Sequence, residues 1–374
     1  MTIEVTGVNT WNKGAELMLV AVREHVRRLR PEARLVVDPW FGTYAERARH
    51  GLWLRPAFRR PGRSRLAFGL MPPSFRRLAG LVAPGEVDVL LDASGFAFGD
   101  QHPQERVVAF AEQVEAARAA GRRVVLLPQA LGPFRNPGGR DAFRRIVQAA
   151  DLVFARDEIS LGHAREAAGD APALRLAPDF TNLVKPAVLP EEDVAWIVPN
   201  ARMVEKAASR AEADAYVPLL ATCIREVERV NLRPRVLIHG RDDASLVDGL
   251  ARLVGHGLDV VREEDAVAIK RRLGSGRLVV ASRFHALVSA LSQGVPSIAT
   301  SWSHKYEMLF KDYGCEDMIL PVPAEPGAVA SLVAAATGPG RASLAERIVE
   351  RGRRLEEQTR AMWQCVDQTL GLAP

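Results

Sequence analysis

Short apolar runs alternate with longer stretches whose apolar residues fall three and four apart along most of the 374-residue chain. The runs predict strands: TIEVTGV from Thr2, RLVVDPW from Arg34, VDVLLDASG from Val87, RRVVLLPQA from Arg122, LVFARD from Leu152 and ALRLAPD from Ala173. Between them, AELMLVAVREHVRRL from Ala15 and QERVVAFAEQVEAARAAG from Gln104 carry helical spacing, and Gly121 is the stop signal of the second. An Arg/Pro-rich section, Arg55 to Pro84, interrupts the alternation and reads as a loop or short-helix insertion.

The proline-containing stretch NLVKPAVLPEED, Asn182 to Asp193, reads as a linker. After it the rhythm starts again with VAWIVPN, a long helix to Val230, RVLIHG, ASLVDGLARLVG, LDVVRE, AVAIKRRLG, RLVVASR, HALVSALSQG and PSIATS. Repeated strand–helix alternation predicts an α/β fold built on mainly parallel, doubly wound sheets. The expected architecture is two Rossmann-like domains facing a cleft, residues 1–183 and 184–340. A last helix, 341–374, is expected to cross back and pack on the first domain.

Composition narrows the picture. A hydrophobic fraction of 48% and a charged fraction of 25% suit a soluble globular protein. No window approaches the ~20 uninterrupted apolar residues of a membrane span. No basic-then-apolar leader precedes the first strand, so the expected location is cytoplasmic. Cys223, Cys315 and Cys365 are far apart without a CxxC pair, which argues against a zinc site or a disulfide framework. The histidines lack metal-ligand spacing and there is no GxxxxGK[ST] loop, so neither a metal nor a bound cofactor is expected. The net charge is +5 and the pI about 9.4. Only six of the 50 basic residues are lysine. Basic stripes with interleaved aromatics are missing, which argues against a nucleic-acid partner and for a small anion held in a cleft.

Open α/β sheets bind ligands at the carboxyl ends of their strands. The first strand ends in GVNTWNKGAE, which places Asn9, Asn12, Lys13 and Glu16 at a strand-to-helix turn, where free N–H groups can receive an anion. The same residues can also be an Asn cap and an ordinary helix. LLDASGFAFGD, with Gly95, and LPQALGPF, with Gln129, end two further strands in small residues that permit close approach to the backbone. In LVFARDEISLG, Arg156 ends a strand, and Asp157 is a candidate helix cap. Arg283 ends RLVVASR, His285 starts the helix that Gly294 stops, and Lys305 follows PSIATS. His239 ends RVLIHG, and His304 is a weaker candidate beside Lys305. Three strong cations and a histidine at strand ends describe a site for a small polyanion at which a proton is moved.

Four segments together resemble the polysaccharide pyruvyl transferases: NKGAE, PQALGPF, ARDEIS followed by PDF, and above all SRFHALVSALSQGVPSIATSWSHK. The resemblance implies a fold like that of GT-B glycosyltransferases and transfer of pyruvate from phosphoenolpyruvate, a co-substrate, to a sugar-containing acceptor as a ketal. It implies that Arg156, Arg283 and His285 hold phosphoenolpyruvate, with Lys305 beside it and His285 moving the proton. One position departs from the family pattern: Ala15 stands where an Asp is common. The acceptor is then a saccharide or a saccharide-containing small molecule, and the Arg55 to Arg77 insertion is a candidate contact for it or for a membrane surface. The rival reading on the same scaffold is a nucleotide-sugar glycosyltransferase, or an inactive glycan-binding member.

Overall fold

The computed structural model describes residues 1–57, 68–300 and 304–372. The chain divides into two compact units. The first comprises Met1–Thr10, Met18–Phe180 and Thr359–Pro374, the second Trp11–Leu17 and Thr181–Gln358. The boundary at residue 181 falls at the start of the expected linker. The short stretch 11–17, expected with the first domain, groups instead with the second unit. Residues 58–67 of the Arg/Pro-rich insertion lie outside the described residues.

Among its described residues the first unit holds one sheet of eight strands: β1 (Thr2–Thr6), β2 (Arg34–Val37), β3 (Trp53–Leu54), β4 (Val89–Asp92), β5 (Phe96–Phe98), β6 (Arg123–Leu131), β7 (Leu152–Ala155) and β8 (Leu174–Leu176). Their order is β3-β2-β1-β4-β6-β7-β8, with β5 on β6, and every pairing is parallel. The helices in this part of the chain are α1 (Lys13–Leu29), α2 (Tyr44–His50), α3 (Pro73–Leu78), α4 (Gln104–Ala119), α5 (Pro137–Ala149) and α6 (Glu158–Ala168). The central strands are buried along their whole length because crossover helices cover a parallel sheet.

The second unit repeats the plan with β9 (Glu192–Val198), β10 (Arg233–Ile238), β11 (Asp259–Arg262), β12 (Gly276–Ala281), β13 (Ser297–Thr300) and β14 (Ile319–Leu320). Their order, β11-β10-β9-β12-β13-β14, is all parallel. Its helices are α7 (Arg202–Glu205), α8 (Arg210–Arg229), α9 (Val247–Val254), α10 (Ala266–Ser275), α11 (Phe284–Leu291), α12 (His304–Asp312) and α13 (Pro326–Thr337). A single core joins Trp196 of β9, Tyr216 and Ile224 of α8, Val279 of β12 and Phe310 of α12.

A final helix, α14 (Arg341–Leu370), begins in the second unit and ends in the first. Within the first unit its last turns are anchored by His25 of α1. That ring stacks on Trp363 with centroids 4.0 Å apart and is 2.8 Å from the Asp367 carboxylate.

In each sheet the strand order reverses beside the first strand, between β1 and β4 and between β9 and β12. Such switch points are where open α/β sheets form ligand crevices. Polar residues gather at both.

Candidate functional site

At the first switch point, Asp92 at the end of β4 is buried. It accepts hydrogen bonds from Thr6 Oγ1 (2.9 Å), Ser94 Oγ (2.7 Å), the Ser94 N–H (3.3 Å) and Gln129 Nε2 (3.1 Å). Burial raises its pKa above the usual carboxylate range against the lowering effect of these donors. Gln129 is itself fully buried, and its Oε1 has no hydrogen-bond partner. β6 runs on through Gln129 to Leu131, so the residue sits inside the strand where its end was expected. Gly95 adopts φ +68°, a left-handed conformation that accounts for a glycine there. Asn9 is half-buried in the loop after β1.

Arg156 follows β7, is buried, and donates to Asp179 (3.3 Å). Asp157 caps α6 by accepting from the Ser160 N–H (2.7 Å). Arg156 therefore stands on the first sheet, whereas Arg283, His285 and Lys305 follow strands of the second.

The second switch point is more elaborate. Arg283, just after β12, donates from Nε to Asp243 Oδ2 (2.9 Å), and one of its two Nη groups donates to Asp243 Oδ1. The fully buried Asp243 also accepts from the Gly240 N–H (2.7 Å) and the Ala201 N–H (2.9 Å). Four donors compensate the buried carboxylate, and the fork fixes the guanidinium plane. The other Nη takes no part in that fork.

One residue earlier, Ser282 is held from several sides. Its carbonyl accepts from Asn200 Nδ2 (2.7 Å) and Tyr306 Oη (2.8 Å). Its hydroxyl is 2.6 Å from Tyr216 Oη and bonds Thr300. Burial pushes the Tyr216 phenol above its usual pKa, which keeps it protonated and able to donate. These bonds leave the Ser282–Arg283 backbone little freedom, so the helix that follows starts in a fixed place.

That helix, α11, presents His285 in its first turn. The start of α1 lies directly against it: a Cβ built on Gly14 would come within 2.4 Å of His285 Nδ1. Asn12 caps α1 by accepting from the Gly14 N–H (3.1 Å) and forms a bridge with Gly240. The Lys13 N–H reaches the His239 carbonyl at 3.4 Å, and Lys13 Nζ pairs with the buried Glu16 (2.7 Å). Ala15 is buried as well, so the carboxylate common in the family at this position would lie under the surface here. Asn12, Lys13, Glu16, His239, Arg283 and His285 thus form one cluster inside the second unit. Lys305 opens α12 with its ammonium 5.4 Å from the Tyr306 ring centroid, and His304 is its neighbour.

The residues that sequence reasoning missed are Asp243, Asn200, Tyr216 and Ser282. The second acid of HGRDD was the visible signal for Asp243, since it follows a strand by only a few residues. The two ion pairs Arg283–Asp243 and Lys13–Glu16 are each neutral, so an incoming anion meets oriented donors more than free charge.

His239 is buried, and its Nδ1 has no hydrogen-bond partner. Desolvation first, then Arg283, His285 and Lys13, hold its pKa well below 6.5. A depressed folded-state pKa means that the unfolded chain takes up the proton first. The stability this group contributes is therefore complete above about pH 6.5 and declines as pH falls below it. The His239 Cε1–H resonance is expected to stay at its neutral position from about pH 8 to 6. Exposed His256, whose pKa the Gly257 carbonyl and Glu228 raise, is expected to titrate. A His239 resonance that moves with that of His256 would contradict the burial argument.

Among the described residues, no group of three or more His, Cys, Asp or Glu is placed to hold a metal ion. No helix among them is long and apolar enough to cross a membrane.

Comparison with known proteins adds three findings. Residues 12–304 match the family model for polysaccharide pyruvyl transferases. No curated protein sequence matches the chain. Among solved structures, Anabaena Alr3699/HepE in complex with UDP and glucose superposes with a TM-score of 0.58 at 13% identity over 99% of each chain. The UDP-GlcNAc 2-epimerase from Neisseria meningitidis bound to UDP-GlcNAc gives 0.59 at 9% identity, over 98% of this chain and 99% of that one. A putative UDP-N-acetylglucosamine 2-epimerase from Listeria monocytogenes gives 0.58 at 9% identity, over 100% and 97%. At these identities the likeness concerns the fold, which is GT-B.

Proposed function

The chain belongs to the polysaccharide pyruvyl transferase family, and from that premise we propose that it moves pyruvate from phosphoenolpyruvate onto a saccharide-containing acceptor. The product on this reading is a ketal, and phosphate is released. The observation that carries it is the cluster after β12, where Asp243 aims the Arg283 guanidinium and His285 lies against the first turn of α1.

The donor's chemistry matches what these groups do. Phosphoenolpyruvate carries a carboxylate and a phosphate. Arg283, through its second Nη, is assigned to one of them, with Lys305 as a further cation of the same unit. The Lys13 ammonium, beside Glu16, offers an additional donor. A proton from His285 goes to C3 and leaves an oxocarbenium centre at C2. One acceptor hydroxyl adds there and loses its proton; the C2–O bond to phosphate then breaks, and the second hydroxyl adds in turn. Of the two hydroxyl protons, one ends on C3 by way of His285 and the other on phosphate. Each preorganised donor facing the leaving phosphate is worth about 3 kcal/mol.

Solved structures of this fold in complex with UDP or UDP-sugars favour one rival, a nucleotide-sugar glycosyltransferase. Titration calorimetry separates the two readings. Phosphoenolpyruvate is expected to bind and UDP, UDP-glucose and UDP-GlcNAc are not, with phosphate appearing once an acceptor is supplied. Binding of the UDP-sugars alone would overturn the proposal.

A further inference from the structure

The basic excess is concentrated in one place. Between Glu46 and Glu86 the chain carries nine arginines and no lysine, aspartate or glutamate, although the whole chain is only +5. The rest of the molecule is therefore net acidic. Arg55 pairs with Glu4 and Arg76 with Glu86, and Arg77 is exposed.

The same stretch exposes apolar side chains. Leu70 is 77% exposed, Phe75 56% and Leu78 84%, all within nine residues and next to exposed Arg77. Phe75 and Leu78 lie three apart on α3, so they share one face. Isolated exposed apolar residues are ordinary, but three together beside a cationic stretch are not.

We infer that the surface formed by Leu70, Phe75, Arg77 and Leu78 docks the protein on an anionic lipid bilayer. Arginines draw such a surface to acidic headgroups, and the two leucines and the phenylalanine enter the boundary between headgroups and acyl chains. Leucines at this exposure do not suit a nucleic acid, which recruits stacking rings instead. The inference goes beyond the donor assignment and stands apart from it. It adds that the acceptor is met at a membrane surface, as a lipid-linked saccharide would be.

The test is co-sedimentation of the full chain with vesicles of phosphatidylcholine alone or mixed with phosphatidylglycerol. Binding is expected to the mixed vesicles only and to weaken as salt is raised. The combined variant Leu70→Ser, Phe75→Ser, Leu78→Ser is expected to lower partitioning by about tenfold or more, and Arg77→Glu by less. Because these side chains are exposed, the melting temperature should not move. Absence of binding, equal binding to uncharged vesicles, or an unaffected triple variant would each overturn the inference. So would a triple variant that dissociates a dimer in light scattering, which would make the patch an interface between copies. No phosphoenolpyruvate enters the assay, so its outcome is independent of the donor reading.

Discussion

Asp243→Ala is expected to lower folding stability by about 3–5 kcal/mol, a large share of the 5–15 kcal/mol typical of a folded protein. Asp243 is a fully buried carboxylate that serves four donors at once: Nε and one Nη of Arg283 and the N–H groups of Gly240 and Ala201. Alanine leaves the guanidinium without its counter-charge and two backbone donors without acceptors, each orphan costing about 1–3 kcal/mol before relaxation. The losses overlap, because water entering the space repairs part of them. Urea unfolding measures the effect. A double-mutant cycle with Arg283→Ala attributes it, since the pair removed together should cost clearly less than the two single losses added. An alanine variant within about 1 kcal/mol of the parent would show that the carboxylate is not what holds the guanidinium.

Much of the fold could be read from the sequence because parallel strands covered on both faces are written as continuous apolar runs, as in Leu278 to Ala281. The elements that escaped were those too short to show a period. Trp53–Leu54, Phe96–Phe98 and Ile319–Leu320 exist only because a neighbouring strand pairs with them. The helix Pro326–Thr337 escaped for another reason: its alanines and valines give it no contrasting polar face. At the site, Arg283 and His285 were legible as charged residues at the end of an apolar run. Their supports were not, since Asp243 lies 40 residues from Arg283 and Tyr216 lies 66 from Ser282. Gln129 shows the converse, a polar residue at an apparent strand end whose strand continues for two more residues. Grouping residues 11–17 with the second unit, against chain order, likewise depends on pairing such as Asn12 with Gly240.

Gly14→Ala and His285→Ala together test the role proposed for the histidine, and both are expected to cost activity without unfolding the protein. Removing a positioned proton donor lowers turnover by about 10²–10⁴-fold, which is the range for His285→Ala. Gly14→Ala leaves every catalytic group present. Its Cβ would fall 2.4 Å from His285 Nδ1 and 2.7 Å from Cγ, far inside the ~3.5–4.0 Å of an ordinary contact, so the ring must give way by about 1 Å. A displacement of that size costs about 100-fold in rate when a group must be held for reaction. Gly14 lies in the first turn of α1, where alanine is the better helix former by up to about 1 kcal/mol, which offsets part of the about 1–3 kcal/mol that overpacking costs, so the protein should stay folded. Turnover therefore falls far more than stability does, and phosphoenolpyruvate binding measured by calorimetry should fall less than kcat. Near-normal turnover in His285→Ala would remove the histidine from the chemistry. Near-normal turnover in Gly14→Ala alone would mean that the ring has room to act from a second position, and that its contact with α1 is packing without catalytic consequence.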